Sequence, residues 1–582
     1  MRLSARMQKK QWHIFPAAAN TADLIADLKI PPLLAQILFN RQIKTVEEAK
    51  TFLNPKLSDL IEPERMPGIE AAVDRIEKAV KEKQKITIYG DYDVDGITAV
   101  SILLGLFRLL DAEVDYYIPH RVDEGYGLNI EAIEQIIASG AKLLISVDCG
   151  ITAFKTTPIA KERGLDVIIT DHHRPSPDGR LPEAVAIVHP NLDANYPAQS
   201  SSGAAVAFKL AWAVVNRIKG PGTTPQHLRQ FLINSTIFAA MGTIADVVDL
   251  RGENRIISSF GLRAIADSNM PGIEALLSAA GVKGKAIDSF HMGYCLAPVL
   301  NAAGRMGHAR LAVELLTSDN NLKAIRIAEY LKEQNKQRQQ IEKKIVKHAC
   351  SMMTERGINH PDRKTIVLAS DEWHTGVIGI VAARLVDKFY KPTILFNSSN
   401  GKSQGSARSI EGFDILAAIT SCKEQLNSFG GHAMAAGLTI DVAKIDDFAQ
   451  AFENYAAANW NDSEFISKLE IDAVCSIREL SVPAVRLLTQ LGPFGRGNPA
   501  PVFAAKGVRL SASPKRVGVN GDHLQLVLCD NTASIRCIGF KMAHLEKKLL
   551  ENEFFNIAFE PQIDNFFGQP SVQLVLSDIQ FE

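Results

Sequence analysis

Three short apolar stretches in the first third of the chain each end in acidic or histidine residues. They span residues 85–89, 142–147 and 166–170, and they run into Gly90-Asp91-Tyr92-Asp93-Val94-Asp95-Gly96, Asp148-Cys149-Gly150 and Asp171-His172-His173. Apolar stretches of this length that alternate with helical segments are typical of the strands of a parallel sheet. Because parallel strands end along one edge, where ligands bind, the pattern predicts that these polar side chains meet there.

The chain of 582 residues is too long for one hydrophobic core, so we expect several domains. Residues 1–67 end in a proline-rich segment, and we expect them to pack on the α/β domain that follows. That domain, 68–318, begins with alternating helices and strands and is mostly helical from 204 to 315. Its first predicted elements are helices at 71–82 and 97–110 and strands at 85–89, 113–118, 142–147, 166–170 and 184–188.

The sequence after residue 318 predicts a connector helix and two further domains. Residues 319–356 hold a charged helical stretch without glycine or proline, which we interpret as a rigid connector helix. Residues 357–462 predict a second, smaller α/β unit, with strands near 365–369 and 392–396 around a helix after Gly376. Residues 463–582 predict a small OB-like β-barrel, from β-rich stretches at 502–505, 523–528, 534–539, 556–560 and 572–576.

Net charge, cysteine pattern and apolar stretches indicate which partners the chain can bind and in which compartment it works. With a formal net charge of −1, the chain has to meet any polyanion through local basic patches. The seven cysteines are scattered and never form a C-x-x-C pair, which indicates reduced thiols and a cytoplasmic location. No apolar stretch reaches the roughly 18 residues that a membrane helix needs, so we expect no membrane partner.

The residues at the predicted strand ends match what a site for two divalent cations needs. Two such ions about 3.5–4 Å apart clamp the attacking and departing oxygens of a phosphoryl transfer, and several carboxylates are required to hold them. If strand geometry persists, alternation places Asp91, Asp93 and Asp95 on one side, and Gly96 allows a sharp turn. Asp148, on a neighbouring strand, is the expected bridging ligand. The predicted metal ligands are Asp91, Asp93, Asp95, Asp148, His172 and Asp246.

The donor types also indicate which ions bind. Carboxylates with one imidazole favour Mn²⁺ or Mg²⁺ over a thiolate-bound zinc ion, so two such ions are the expected cofactors. His173 is predicted to be catalytic with the six ligands, orienting a phosphate or a ligand rather than binding metal. Each aspartate alone is more commonly a helix cap or a turn former, and only the set as a whole points to metal. An EF-hand loop is excluded, because no glutamate stands at its twelfth position.

Four motifs of the chain resemble those of a known family. Asp93-Val94-Asp95-Gly96, Asp148-Cys149-Gly150, Asp171-His172-His173 and Asp246 match, in this order, the motifs of the DHH phosphoesterases. The longer form from Gly90 to Gly96 is similar to that of the single-stranded-DNA-specific 5′-to-3′ exonucleases of this family. The resemblance continues through His189-Pro190-Asn191, 300–307, 373–379, 405–409 and 430–437, of which the last two look like a DHHA1 domain.

The resemblance implies a name for each predicted domain. Residues 68–318 become the DHH domain and 357–462 the DHHA1 domain, and the β-rich tail agrees with the OB domain of those exonucleases. The chain departs from the family pattern at three positions. Ser202 and Ala205 stand where the family has Cys and Gly, and Asp249 stands where it has Pro, so Asp249 is not counted as a ligand.

The second α/β unit is predicted to bind the end of the substrate. Glycine-rich turns offer backbone N–H groups, and an arginine offers a guanidinium fork, which together suit a terminal phosphate. The predicted substrate-binding residues are Ser406, Arg408, Gly430, Gly431, His432, His374, Asn301 and Arg305. In the tail, Arg496, Lys515, Arg516 and Phe494 are candidates for holding the trailing strand. The segment 492–499 is equally well explained as an interdomain turn.

The resemblance implies a 5′-to-3′ exonuclease that hydrolyses single-stranded DNA to 5′-mononucleotides in recombination and repair. The implied partners are single-stranded DNA with a 5′ end, a single-strand-binding protein and a helicase. Two alternatives remain at this point. One is another DHH phosphodiesterase, acting on short oligonucleotides or cyclic dinucleotides, and the other is a non-catalytic replication scaffold with a degenerate DHH domain.

Overall fold

The computed structural model describes residues 10–120, 124–358, 360, 362–399, 401–460, 466–565 and 568–581. Within these residues the chain forms two compact units. The first contains Ile61–Val248 and Phe260–Ser467, and the second contains Lys10–Leu60, Asp249–Ser259 and Lys468–Glu582. The architecture is the α/β class that the sequence predicts, with a parallel sheet, a long helix, a second α/β sheet and a C-terminal β domain.

Most of the described N-terminal segment, residues 10–60, belongs to the second unit. The expectation that 1–67 packs on the DHH domain stays a prediction, and residues 1–9 lie outside the described part of the chain. The segment forms β1 (Gln11–Ile14), α1 (Ala22–Leu28), α2 (Pro32–Asn40) and α3 (Val46–Leu53). The buried side chains of α2, including Leu34 and Leu38, share one hydrophobic core with Phe503 and Phe555 of the C-terminal domain. The physical reason is the apolar face of α2, which completes the core of the second unit. Among the described residues of the segment, those from residue 61 onward belong to the first unit.

A five-stranded parallel sheet forms the centre of the first unit. Its strands are ordered β3-β2-β4-β5-β6, and every neighbouring pair is parallel. The elements are α4 (Ile69–Lys81), β2 (Ile86–Gly90), α5 (Val94–Leu109), β3 (Val114–Tyr117), α6 (Ile130–Ala138), β4 (Leu143–Val147), α7 (Thr156–Glu162), β5 (Asp166–Thr170) and β6 (Ala186–Val188). Both β2 and β4 are buried along their whole length, which explains their continuous apolar sequences.

The part predicted to be mostly helical is helical. It contains α8 (Gly203–Lys219), α9 (Gln226–Ala245), α10 (Gly252–Ala266), α11 (Pro271–Ala279), a π-helical turn (His291–Leu296), α12 (Ala297–Arg305) and α13 (Ala309–Leu316). Helix α5 is buried at most of its positions, because α8 and α9 cover it. This burial places the start of α5, next to the predicted metal ligands, inside the domain.

The predicted connector is a single helix of 35 residues, α14 (Asn321–Glu355), about 52 Å long. It leads to β7 (Ile366–Ser370), α15 (Thr375–Phe389), β8 (Thr393–Ser399), β9 (Lys402–Arg408), α16 (Ile415–Ser421), β10 (Leu426–His432), β11 (Ala435–Asp441) and α17 (Ile445–Asn459). These strands form a sheet ordered β10-β11-β9-β8-β7, in which only β7 and β8 are parallel. None of the helices in the described part of the chain is long and apolar enough to cross a membrane.

The C-terminal domain is a curved, mostly antiparallel sheet. The domain contains β12 (Lys468–Ile471), β13 (Ala473–Val474), α18 (Val482–Thr489), β14 (Phe503–Leu510), β15 (Lys515–Val517), β16 (His523–Cys529), β17 (Ser534–Gly539), α19 (Glu546–Glu551), β18 (Phe555–Asp564) and β19 (Ser571–Phe581). Strand β12 lies outside this sheet and pairs with β1. Strands pair in the order β14-β18-β19-β17-β16, and the end of β14 also pairs with β16. The five predicted β-rich stretches correspond to these five strands.

Two of the residues predicted to hold the trailing DNA strand contact other residues of the second unit. Phe494 is partly buried and packs against the hydrophobic core, and its role in holding the trailing strand stays a prediction. Nε of Arg496 lies 3.3 Å from Oδ1 of Asp249. The segment 492–499 is a packed turn, since Asn498 is buried and its side chain donates hydrogen bonds to the carbonyls of Leu491 and Pro493. Lys515 stays exposed, and Arg516 pairs with Glu546 at 2.6 Å.

Candidate metal centre and phosphate site

Three neighbouring strands of the parallel sheet end at the same level. The last residues of β2, β4 and β5, which are Gly90, Val147 and Thr170, pair in register across the sheet. The next residue of each strand is an aspartate, and Asp91, Asp148 and Asp171 are all buried. The prediction that these segments meet at one sheet edge is confirmed.

Asp93 and Asp95 reach the same place by a different route from the predicted strand alternation. The strand ends at Gly90, and α5 begins at Val94, three residues before the predicted start. Oδ1 of Asp93 accepts hydrogen bonds from the N–H groups of Asp95 at 2.9 Å and Gly96 at 3.3 Å, which is a helix N-cap. The predicted alternation is therefore wrong, because this cap starts a helix where alternation requires extended backbone.

Gly96 is needed for a close approach and not for a turn. It lies in the first turn of α5, and a Cβ atom built on it would stand 2.5 Å from the carbonyl oxygen of Asp91. Two further glycines bring α8 and α9 against the acidic residues. A Cβ on Gly203 would stand 2.6 Å from the Cβ of Asp148, and one on Gly242 would stand 2.3 Å from Oδ1 of Asp95. Neither glycine is among the predicted site residues, because a glycine carries no functional group that a sequence pattern can reveal.

Helix α8 also orients one of the carboxylates. Oδ2 of Asp95 accepts a hydrogen bond of 2.6 Å from the N–H of Gly203, and its Oδ1 accepts one of 2.9 Å from Ala204. Both donors belong to the first turn of α8, where backbone N–H groups lack partners within the helix. Asp95 is only 1% exposed, so its carboxylate depends on protein groups for hydrogen bonds. The N-terminus of α8 supplies them and holds the carboxylate in place.

The predicted donors form three overlapping groups, in each of which one donor atom per residue lies within 4.8 Å of the others. The groups are Asp91 with Asp93 and Asp148, Asp95 with His172 and Asp246, and Asp148 with His172 and His173. All six predicted metal ligands are included. Asp148 and His172 each belong to two groups, which is the arrangement that two adjacent ions require.

His172 lies in the middle of the acidic side chains. Its Nε2 is 3.0 Å from Oδ1 of Asp148 and 3.8 Å from Oδ2 of Asp246, the C-cap residue of α9. Asp246, which is far from the strands in sequence, is therefore brought to the site by the end of that helix. Asp249 belongs to none of the donor groups among the described residues, and it pairs with Arg496 in the second unit.

The electrostatics of the cluster show what it is suited to bind. Burial raises the pKa of Asp148 well above its usual value, and the charges of Asp95, Asp93, Asp91 and Asp246 raise it further. Burial also raises the pKa of Asp95. Several carboxylates in one buried site are unfavourable unless cations compensate them. Oxygen donors with one or two imidazoles match hard divalent ions, so the residues present fit Mn²⁺ or Mg²⁺.

Asp171 is a functional residue that the predicted site omitted, although it stands beside His172 in the sequence. Its Oδ1 accepts hydrogen bonds from the backbone N–H groups of both following histidines and from Nδ1 of His173 at 2.8 Å. Its Oδ2 accepts one from the N–H of Ile151 at 2.9 Å. Burial would raise the pKa of Asp171, but the hydrogen bond and charge of His173 outweigh this and lower it to about 2.

The same contacts hold His173 at the edge of the site. Burial lowers its pKa, but the hydrogen bond and charge of Asp171, together with the charges of Asp246 and Asp91, raise the pKa to about 9. The hydroxyl group of Tyr126 lies 3.0 Å from Nδ1 of His173 and donates a hydrogen bond to the backbone carbonyl of Asp148. Tyr126 is a second residue that the predicted site omitted, because the chain offers no local pattern that assigns it.

Helix α12 connects the metal centre to the second sheet of this unit. Oδ1 of Asn301 accepts a hydrogen bond from the N–H of Val94, so this side chain contacts the first residue of α5. A Cβ on Gly304 would stand 2.2 Å from the carbonyl oxygen of Tyr92. At the end of the helix, the guanidinium group of Arg305 donates a 3.0 Å hydrogen bond to the carbonyl of Gly376 in α15.

The predicted phosphate-binding residues converge near the start of α15. His374 is the N-cap, and its Nδ1 accepts a hydrogen bond from the N–H of Gly376. A Cβ on Gly379 would stand 2.8 Å from Oγ of Ser406 and 3.0 Å from the guanidinium group of Arg408. The start of a helix favours anions, so an anion here would meet two arginines, a hydroxyl group and backbone N–H groups.

The sheet register adds the glycine-rich loop to this site. Ser406 pairs with Gly437, which pairs with Gly430, and Arg408 pairs with Ala435, which pairs with His432. Gly430, Gly431 and His432 are exposed at the end of β10, and a Cβ on Gly430 or Gly437 would meet no atom within 4 Å. The site is therefore open on the side of these glycines. All eight predicted substrate-binding residues lie in the first unit.

Comparison with known proteins identifies the class to which this arrangement belongs. Three family models match the chain in order, described as "DHH family, N-terminal domain" at residues 85–236, "DHHA1 domain" at 362–458 and "RecJ OB domain" at 471–578. The first covers the parallel sheet and its metal centre, the second covers the sheet with Ser406 and Arg408, and the third covers the C-terminal strands. The fold and the site therefore define a DHH-family protein with DHHA1 and OB domains.

Similar proteins narrow this class. The chain is 37% identical over 574 residues to the single-stranded-DNA-specific exonuclease RecJ of Bacillus subtilis, covering 98% of this chain and 71% of that one. A crystal structure of RecJ from Thermus thermophilus in complex with Mn²⁺ superposes with a TM-score of 0.83 at 29% identity, covering 98% of this chain and 80% of that one. A Mg²⁺ complex of that protein gives a TM-score of 0.77 at 28% identity, with coverages of 98% and 78%. The chain belongs to the RecJ family of single-stranded-DNA-specific exonucleases.

Proposed function

We propose that this chain is a metal-dependent exonuclease that degrades single-stranded DNA from its 5′ end and releases 5′-mononucleotides. The observation that carries the proposal is the buried cluster of carboxylates and imidazoles at the edge of the parallel sheet, in a chain of the RecJ family. The converging residues around Ser406 and Arg408 support the 5′ polarity, because their hydroxyl and guanidinium groups suit an anion and lie in the same compact unit as the carboxylates.

The proposed metal ligands follow the donor groups. Asp91, Asp93 and Asp148 would hold one cation, and Asp95, His172 and Asp246 would hold the other. Asp148 is the proposed shared ligand, because it also groups with His172. When bound, two divalent cations stabilise the attacking and departing oxygens and increase the acidity of a coordinated water molecule. In the reaction, water adds to the phosphorus between the first and second nucleotides, and the bond from that phosphorus to the 3′-oxygen of the first nucleotide breaks. The 3′-oxygen takes up a proton and leaves with the first nucleotide.

The other residues of the cluster orient these groups. Asp171 fixes His173 through Nδ1. Nε2 of His173, which lies 3.4 Å from the hydroxyl group of Tyr126, is the nitrogen proposed to meet a phosphate oxygen. Asp95 is held by the N-terminus of α8, and Asp93 is held by its own N-cap contacts. Ligands with fixed positions lose little conformational freedom when ions and substrate bind, which favours both binding and catalysis.

The second sheet is proposed to bind the terminal 5′-phosphate. Arg408 and Arg305 supply charge, Ser406 supplies a hydroxyl group, and the start of α15 at His374 supplies backbone N–H groups. The loop from Gly430 to His432 supplies further N–H groups and an imidazole on the open side. Asn301 is proposed to bind the substrate from the side of the metal centre, where its Oδ1 accepts a hydrogen bond from the N–H of Val94. A phosphate site at a fixed position relative to the ions explains the release of one nucleotide at a time.

The proposal is tested with the full-length protein and DNA labelled separately at each end. Mn²⁺ or Mg²⁺ is expected to support release of label from the 5′ end of a single strand, with no release from a duplex, and EDTA is expected to abolish it. The variant Asp148→Ala should lose degradation and keep single-strand binding, whereas Asp178→Ala, an exposed residue, should behave as the wild type. Release from the 3′ end first, or full activity of Asp148→Ala, would refute the mechanism.

The same assay separates the two alternatives. A phosphodiesterase for short oligonucleotides or cyclic dinucleotides would prefer those substrates in a length series, and a non-catalytic scaffold would release no label with either metal. The proposed cellular role is in DNA recombination and repair in the cytoplasm, together with a single-strand-binding protein and a helicase. The seven free cysteines of the structure support a reducing compartment. Stimulation of digestion by purified single-strand-binding protein or helicase tests the partners.

A further inference from the structure

The most exposed aromatic side chains of the first unit form a pair beside the metal centre. Tyr294 is 74% exposed and Phe290 is 59% exposed, the highest values among the aromatic residues in the described part of the chain. Their ring centroids are 5.0 Å apart, and their planes meet at 26°, so the two rings stack on each other. Large apolar rings at such exposure lose the benefit of burial, and a grouped pair indicates a binding surface.

The backbone under this pair is unusual and firmly anchored. Tyr294 lies in the π-helical turn His291–Leu296, and Phe290 immediately precedes it. Met292 and Leu296 of the same turn are completely buried, so the turn is packed from below while the two aromatic rings face solvent. Single π-helical turns are rare and occur frequently at functional sites.

The position of the turn relates the pair to the site already described. Gly293 lies between the two aromatic residues, and a Cβ built on it would stand 3.6 Å from Cγ2 of Ile244, two residues before Asp246 in α9. The turn also continues without interruption into α12, which carries Asn301 and Arg305. The aromatic pair therefore lies beside the end of α9 that supplies Asp246. It also lies about 16 Å along the helical axis from Arg305.

We propose that Phe290 and Tyr294 form a stacking surface for bases of the single strand that trails behind the scissile phosphate. The inference rests on the proposed function and deepens it, because it adds a base-binding site to the metal and phosphate sites. With the 5′-phosphate near Arg305 and the ions near Asp246, the strand continues past the opposite end of the same helical segment. An aromatic ring stacks on any of the four bases, so this surface holds the strand without selecting a sequence.

Continuity with the metal centre favours a nucleobase over a protein as the occupant. The charged residues closest in sequence, Asp288 and His291, form a contact of 2.6 Å with each other. The surface thus offers two rings and one internally matched polar pair, which suits stacking better than the recognition of a charged peptide. Docking of another protein on the pair is the alternative, and it predicts no change in DNA binding when the rings are removed.

The test uses the full-length protein in EDTA, so that DNA is bound and not degraded. Single strands carry 2-aminopurine or an abasic site at one position, which is moved stepwise from the 5′ end. In the wild type, we expect one or two neighbouring positions at which 2-aminopurine fluorescence is quenched on binding. An abasic site at the same positions should weaken binding about 5- to 150-fold.

Three variants show whether the rings cause the effect. The double variant Phe290→Leu/Tyr294→Leu keeps apolar side chains but removes stacking, and it should abolish the positional quenching and the abasic effect together. Tyr294→Phe keeps the ring and should resemble the wild type. Tyr330→Leu removes a tyrosine that is 39% exposed on α14 and should also resemble the wild type. Circular dichroism verifies that each variant is folded.

Activity gives a second measurement. With Mn²⁺ present, the double leucine variant should digest long strands with a raised KM and should cleave a 5′-phosphorylated dinucleotide like the wild type. Equal binding and equal KM for long strands in the double variant and the wild type would overturn the inference. So would a wild-type scan without a position-specific abasic effect. Failure of the wild type to release nucleotides would overturn the proposed function instead, and the binding scan in EDTA would still report on stacking.

Discussion

Asp171 accepts a hydrogen bond of 2.8 Å from Nδ1 of His173, two residues further along the chain. The carboxylate is fully buried, and it also accepts hydrogen bonds from the backbone N–H groups of both histidines. The side chain of Asp171 thus fixes the path of the backbone just after β5 ends. It also fixes the orientation of the exposed His173 imidazole. Such a contact is the usual way in which proteins orient a histidine at a metal centre.

The first prediction concerns the pH dependence of stability in metal-free protein. The pKa of His173 is raised to about 9, so its contribution is fully present below its unfolded value near 6.5 and is lost as pH rises through about 9. The pKa of Asp171 is lowered to about 2, so its contribution is present above its unfolded value near 3.8 and is lost as pH falls through about 2. Chemical denaturation of the wild type and Asp171→Asn across pH 6 to 10 measures the first part. The free energy of unfolding of the wild type should decrease as pH rises toward about 9, and Asp171→Asn should lose this decrease. The same pH profile in both proteins would contradict the proposed interaction of Asp171 with His173.

The second prediction compares two aspartates three residues apart. Asp246→Ala removes a proposed ligand and should lower kcat/KM at limiting Mn²⁺ by at least about 100-fold, since even residues that only orient ligands cost about 10- to 100-fold. Asp249→Ala is the matched control, because this side chain pairs with Arg496 in the second unit. Titration of activity with Mn²⁺ measures both variants. Similar losses in the two variants would show that Asp246 has no special role.

The third prediction concerns a residue without functional groups. In Gly203→Ala the new methyl group would stand 2.6 Å from the Cβ of Asp148, so the carboxylate has to move. Alanine favours helix formation, so the first turn of α8 should not weaken. We expect about 10- to 100-fold weaker Mn²⁺ binding, by isothermal titration calorimetry. Overpacking should also lower the free energy of unfolding by about 1–3 kcal/mol. Gly105→Ala is the control, since its nearest atom belongs to the side chain of Phe231 at 3.3 Å. Equal Mn²⁺ affinities in the two variants would refute the argument.

The fourth prediction concerns the phosphate site. Arg408→Lys keeps the charge but loses the planar fork that binds two phosphate oxygens at once. The preference for a 5′-phosphate over a 5′-hydroxyl end should fall by about 10- to 100-fold, the cost of one or two hydrogen bonds to a charged group. Initial rates on the two substrates measure this preference. Arg384→Lys, an exposed arginine on α15 that pairs with Glu342, should keep it. A preserved preference in Arg408→Lys would place the phosphate elsewhere.

Much of the fold could be predicted because buried parallel strands have a strong local signal. The stretches at 85–89, 142–147 and 166–170 are strands within one residue of their predicted bounds at each end, since such strands read as continuous apolar runs. The connector helix is recognisable from its lack of glycine and proline. The family resemblance then assigns the DHH, DHHA1 and OB domains, and all three family models match.

Other predictions fail where two local explanations compete. Asp93 is predicted within an extended segment, but a capping carboxylate followed by an apolar run begins a helix equally well. The sequence also does not reveal that the apolar helix α2 of the N-terminal segment shares a core with residues more than 430 positions later in the chain.

The sequence by itself determined the chemistry of this protein, because the types and order of its donors, and the strands that deliver them, are written in local patterns. Only the tertiary structure decided how those donors are shared and held. It placed Asp148 and His172 in two groups each, made Asp171 the residue that orients His173, and brought the glycines of α8 and α9 against the carboxylates. The physical reason is that distances between residues far apart in the chain depend on how helices and sheets pack, and no local pattern carries that information.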